Sequence, residues 1–216
     1  MAPTNDLEAW YEQVHSRRVD LVGDYAGNEL FLVEGDSLLL HAFSDPNLDF
    51  DDGLQLLHAT YNVENFLKKL VLRGCNFHIA FIEDHGTLCI PPNGTGHRNK
   101  YLLTRAAIIR HLEQNLPESH SQVSVRKFPS VLSEEFLEYL QETGMYFVML
   151  HDGAHVLGKE GGEAEENQAR KAKTKFRFLI HWLVQQGYNI ALMNGLEFVD
   201  TKVRGILEST SSYDGW

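Results

Sequence analysis

Apolar and polar residues recur along the chain with two different periods. From Asp6 to about Val22, the residues Leu7, Trp10, Tyr11, Val14 and Val19 fall mostly at three- and four-residue steps, the spacing of an amphipathic helix. Asp6 or Asn5 can cap it and Gly23 can end it, so residues 1–23 are expected as one N-terminal helix. Glu29-Leu30-Phe31-Leu32-Val33-Glu34 is instead a short continuous apolar run, the pattern of a strand buried on both faces. Helical spacing returns over 52–73 and stops at Gly74, and Phe77-His78-Ile79-Ala80-Phe81-Ile82 predicts a second buried strand.

The same alternation continues. Residues 98–116 read as a helix closed by Pro117, and 123–128 as a strand with one wet face near a sheet edge. Ser133 opens a capped helix that runs to Thr143 before Gly144, and Tyr146-Phe147-Val148-Met149-Leu150 is a third buried strand. Residues 158–168 are glycine-rich and acidic, which predicts a mobile loop. A helix over 169–186, a strand over 188–193 and a short helix over 197–207 follow, and 209–216 reads as a linker-like tail. Strands separated by helices predict one α/β domain over 1–216, a three-layer sandwich around a central, mainly parallel sheet of about five strands.

Composition narrows the function classes. With 43% hydrophobic and 23% charged residues the chain is neither disordered nor membrane-spanning in pattern. At 216 residues roughly 70% of the unfolded surface can be buried without a staple. The first residues lack the basic and apolar regions of a secretory signal, and two cysteines, Cys75 and Cys89, make no disulfide framework. An intracellular, cytoplasmic setting is therefore expected. Thirty acidic against 19 basic residues give a net charge of −11, so contact with a polyanion needs a local basic stripe. Arg170, Lys171, Lys173, Lys175 and Arg177 form the candidate, with a solvated helix face as the alternative.

In a parallel sheet functional groups collect at the carboxyl ends of the strands. Three apolar strands end on acids: Glu34 with Asp36, Glu83 with Asp84, and Asp152. Converging carboxylates hold Mg²⁺ or Mn²⁺ in phosphodiester hydrolysis, whereas acids after strands also simply cap helices. His151-Asp152-Gly153-Ala154-His155 has histidines four apart, but Gly153 favours a turn there over a zinc-binding helix. No Walker loop, Rossmann fingerprint or nucleophile elbow occurs. Trp10, Tyr11, Trp182 and Tyr188 could stack on bases, but each lies in an element that needs an apolar face for packing.

The stretch Leu30-Phe31-Leu32-Val33-Glu34-Gly35-Asp36-Ser37-Leu38-Leu39 resembles the first motif of PIN-like nucleases. It is closer still to the N-terminal region of the interferon-inducible, Ski-type DExD/H-box RNA helicases and their fungal relatives. Phe77 to Asp84, Arg105 to Leu112 and Asn194-Gly195-Leu196-Glu197 extend that similarity over nearly the whole chain. The resemblance implies a PIN-like fold in which Glu34 stands at the first-strand acid and Asp84 at the second. Glu163-Ala164-Glu165-Glu166 resembles an acidic element of flap-type 5′-nucleases. Glu34, Asp36, Asp84, Asp152 and Glu163 are thus the candidate Mg²⁺ or Mn²⁺ ligands, and Asn194 stands where the last acids are expected. A neutral amide there implies a catalytically degenerate module that requires no cofactor. Such a module would contact RNA, the remainder of a helicase or its protein partners. The alternative is an active metal-dependent nuclease. Motor motifs are absent, so ATP hydrolysis by the helicase route is not expected of these residues.

Overall fold

The computed structural model describes residues 3–25, 29–119, 123–154 and 162–207. The element order is α1 (Pro3–Gln13), β1 (Ser16–Asp20), α2 (Leu21–Tyr25), β2 (Leu30–Glu34), α3 (Gly35–Phe43), α4 (Leu56–Leu72) and β3 (Asn76–Ile82). Two short 3₁₀ turns follow, then α5 (Arg98–Ser119), β4 (Ser124–Phe128), α6 (Glu134–Thr143), β5 (Phe147–Leu150), α7 (Glu163–Gln185), β6 (Asn189–Leu192) and β7 (Lys202–Ile206). The strands make one seven-stranded sheet in the order β1-β7-β6-β5-β2-β3-β4. The five from β4 to β6 are parallel, and β7 and β1 add an antiparallel edge.

Alternate residues of each buried strand enter two cores, one on each face. Phe31, Val33, Phe77, Ile79, Phe81, Phe147 and Met149 pack with α3, α4 and α5. Leu32, Ala80, Ile82, Val148 and Leu150 pack with α1, α6 and α7. This is the expected three-layer α/β sandwich, and β4 is the sheet edge that its half-wet pattern predicts. The chain winds from β2 outward through β3 and β4, then returns to build β5 and β6 on the other side. The order therefore reverses between β2 and β5, and the crevice of such a sheet opens at that point, beyond the carboxyl ends of the strands.

Five expectations change. The N-terminal helix expected over 1–23 ends at Gln13, and Ser16–Asp20 is a strand. Its partner is the segment expected as a helix over 197–207, which forms β7 with Val19 opposite Val203 and Arg18 opposite Arg204. These two short polar segments have little strand character alone; their mutual ladder on the edge of β6 overrides local propensity. The sheet consequently has seven strands rather than about five. The loop expected over 158–168 is helical from Glu163, because Glu163, Glu165 and Glu166 occupy the first turn of α7, where acids complement the helix dipole. Residues 158–161, the tail 209–216 and His155 lie outside the described residues. Pro117 does not end α5, which runs to Ser119.

Candidate functional site at the strand ends

Glu34 is the last residue of β2 and the N-cap of α3. Its Oε2 accepts from the Ser37 backbone N–H at 2.6 Å, and its Oε1 faces His85 Nδ1 at 3.3 Å. Gly35 is required here because a Cβ would meet the Phe81 ring at 2.4 Å. One residue on, Asp36 is fully buried and takes both arms of Arg105: Nε donates to Oδ1 at 2.7 Å and Nη2 to Oδ2 at 3.0 Å. The same Nη2 reaches the Ile82 carbonyl at 3.3 Å. Burial pushes the Asp36 carboxyl up to about 6 against the pull of Arg105, and the nearby Glu34 charge adds to the rise. Burial also acts to raise Glu34, but His85 and the Ser37 N–H outweigh it and hold that carboxyl below its usual range.

Across the switch point, β5 ends and the chain turns at Gly153, where φ is +73°. Asp152 is buried with three donors on its carboxylate. Tyr11 of α1 donates its hydroxyl to Oδ2 at 2.5 Å, and Asn194 Nδ2 and the Ala154 N–H each reach Oδ1 at 2.8 Å. The amide oxygen of Asn194 faces the Asp152 N–H at 3.4 Å. Burial opposes ionisation of Asp152, yet these donors, Tyr11 foremost, keep its carboxyl below the usual range; the same burial and the Asp152 charge push the Tyr11 phenol up.

Helix α7 lies over this end of the sheet. Its Phe176 is fully buried, with ring centroids of His85 and His151 both 6.3 Å away, and packs with Leu40, Leu88 and Ala172. A Cβ on Gly153 would meet the Lys173 backbone at 2.4 Å, so only glycine lets α7 approach that closely. Gln168 anchors the helix to the opposite lip through the carbonyls of Thr87 and Ile90, at 2.8 and 3.0 Å.

The structure therefore buries Glu34, Asp36 and Asp152 at the crevice. It leaves Asp84 exposed on a 3₁₀ turn and Glu163 exposed at the start of α7. Among the described residues no three His, Cys, Asp or Glu side chains form a group able to hold a metal ion. Each buried acid is already paired with protein groups, Asp36 with Arg105, Glu34 with Ser37 and His85, and Asp152 with Tyr11, Asn194 and Ala154, so the arrangement does not fit a divalent cation. The basic stripe divides in two. Arg170, Lys171 and Lys175 are exposed. Lys173 and Arg177 instead turn to α1, where both pair with Glu8, and Arg177 is buried with its guanidinium 3.9 Å from the Tyr11 ring centroid. Tyr11 is core, and Trp10, Trp182 and Tyr188 are partly buried against it.

Residues 8–207 match the family model described as the PIN-like domain of the ATP-dependent RNA helicase DDX60. The chain belongs to this family. A probable ATP-dependent RNA helicase DDX60-like of Homo sapiens is 25% identical over 180 residues, which is 82% of this chain and 9% of that relative. The chain thus spans about a tenth of the length of that curated relative. The match to the DDX60 PIN-like domain covers every residue of the strand-end site, Tyr11 included. Several members of the site are ones the sequence reading did not assign to it: His85, Arg105, Tyr11 and Phe176. Arg105 carried a usable signal, since it shares the stripe Tyr101, Arg105, Ile108, Leu112 with three buried apolar residues. A cation on a buried stripe requires a buried anion. The others carried none, because their pairing crosses 51 to 141 positions of chain. No helix among the described residues is long and apolar enough to cross a membrane.

Proposed function

We propose that this PIN-like domain is a catalytically degenerate, RNA-contacting module of a DDX60-type helicase, working in an intracellular setting. The observation that carries the reading is the saturation of the buried acids. Asp36 is held by Arg105, Glu34 by Ser37 and His85, and Asp152 by Tyr11, Asn194 and Ala154. Two-metal hydrolysis needs carboxylates free to coordinate, and a neutral Asn194 that donates to Asp152 satisfies that acid without a cation. Arg170, Lys171 and Lys175 are the exposed cations of α7 that remain to meet RNA phosphates, with Arg170 also reaching Asn167 and Lys171 donating to Thr87 Oγ1 at 2.9 Å. Both cysteines are free and buried, which suits a reducing compartment.

Fluorescence anisotropy with labelled single-stranded RNA over a range of salt tests the reading. Replacing Arg170, Lys171 and Lys175 together by Glu should abolish binding at moderate salt. Single Ala substitutions should each lower the log–log salt slope by about 0.7. Unchanged affinity and slope in these variants would remove the α7 surface. Robust Mn²⁺-dependent cleavage of the same RNA, lost in both Glu34→Gln and Asp152→Asn, would replace the degenerate reading with a nuclease.

A further inference from the structure

A cleft away from the strand ends lies in the opposite helical layer. The C-terminal end of α3, the middle of α4 and the connection between β6 and β7 line an open cleft of about 650 Å³, within the range of small-ligand sites. Its base is aromatic. The Phe66 ring meets His41 edge-on at 5.4 Å and Phe198 edge-on at 5.3 Å. Beside that wall stand two cations, with Lys69 Nζ 5.1 Å and Arg73 Cζ 6.0 Å from the Phe198 centroid.

Two amides line the same cleft. Asn62 is fixed by donating to Asp45 Oδ2 at 2.9 Å, which leaves its Oδ1 as a free acceptor. Asn65, one turn along, is half-buried and has no hydrogen-bond partner among the described residues. Its amide oxygen and nitrogen, facing the cleft without such a partner, are both open to pair with a ligand. Side-chain amides pair in this two-pronged way with the adjacent donor and acceptor of adenine. On the opposite lip Glu197 is exposed, and a carboxylate there can accept from a ribose hydroxyl. It would also repel a bare polyphosphate.

Resting on the RNA-contacting reading above, we propose that this cleft takes one unstacked nucleotide of single-stranded RNA, with adenine preferred. The base meets the aromatic wall, Asn65 reads its edge, and Lys69 with Arg73 meets the adjoining phosphate. Unstacked bases held on aromatic side chains and read at their edges are the usual means of recognising single-stranded RNA. The cleft shares no residue with α7, so the two surfaces can be altered independently.

The test is anisotropy of a fluorescein-labelled decamer of A or of U with the whole chain, together with competition by AMP. Asn65→Ala and Phe198→Leu, the latter keeping apolar bulk without an aromatic ring, should each weaken binding of the A decamer about tenfold. The U decamer should be less affected by Asn65→Ala, and AMP should compete only at the cleft. Melting temperatures of both variants establish that they are folded. Unchanged affinity in Asn65→Ala and Phe198→Leu, with binding lost in the α7 triple variant, overturns the cleft and leaves the module reading standing. Loss in the cleft variants with the α7 triple unaffected supports the cleft and removes the α7 surface. Failure of the wild type to bind either decamer or AMP overturns both.

Discussion

Asp36 and Arg105 set the electrostatic character of the crevice. A bidentate guanidinium in a buried site cannot lose its partner cheaply; removing one side of such a pair typically costs about 3–5 kcal/mol. The pair also leaves a pH signature. Burial holds the Asp36 carboxyl up at about 6 in the folded protein against 3.8 ordinarily, so between those values the folded state keeps a proton that the unfolded state has released. Stability from this group is therefore fully present below pH 3.8 and is lost as pH rises through the raised folded value. Glu34 has the opposite sign, because its carboxyl lies below the usual 4.5; its contribution is lost only in more acid solution. The stability of the wild type to urea, measured relative to Asp36→Asn, should accordingly fall from pH 4.5 to pH 7, because the depressed His41 and His78 act in the opposite direction in both proteins. An equally steep slope in Asp36→Asn would assign the effect elsewhere. At this scale the acids were legible, since each follows an apolar strand. Of their partners only Arg105 left a signal: Tyr11 and Asp152 are 141 positions apart, and only packing of α1 on α7 brings them together.

At the scale of elements, local period decided most of the chain. Ser133 caps α6, with its side chain accepting from the Phe136 N–H, and Gly144 ends that helix at φ +59°, both as the residues predict. Helix α7 shows how a charge run can mislead when its angular spread is ignored. Lys171 and Lys175 share one face, Lys173 and Arg177 another, and two residues advance a helix by about 200°. The antiparallel edge is the element that local pattern missed, because β1 carries polar Ser16, Arg17, Arg18 and Asp20 around a lone Val19. It exists because β7 pairs with it, and Gly205 allows the approach: a Cβ there would lie 3.1 Å from both methyl carbons of Val19. Gly205→Val should overpack this contact and cost about 1–3 kcal/mol. Hydrogen exchange should quicken in 16–20 and 202–206 while β2, β3 and β5 keep their protection. Uniform loss across the sheet would mean that the edge is integral to the parallel core.

The whole molecule carries a net charge of −11, yet among its described residues no three His, Cys, Asp or Glu side chains form a group able to hold a metal ion. Metal binding is thereby a sharp test of how the domain is assembled. A cation present at about a hundredfold excess over its Kd would add about 2.7 kcal/mol and raise Tm by several degrees. Millimolar Mn²⁺ should give no such rise, and EDTA should leave Tm unchanged; a rise abolished by Asp152→Asn would place a cation at the crevice after all. The hydrophobic pattern alone determined the layers: continuous apolar strands must be covered on both faces, so helices on either side of a mainly parallel sheet follow from burial. It also placed acids at strand ends, because strand termini follow from where apolar runs stop. Only the tertiary structure decided what those acids do. Whether a buried carboxylate meets a cation, a guanidinium, a phenol or an amide depends on groups delivered by distant elements. Here α1, α5 and α7 deliver Tyr11, Arg105 and Phe176 to the strand ends, along contacts that no local spacing encodes.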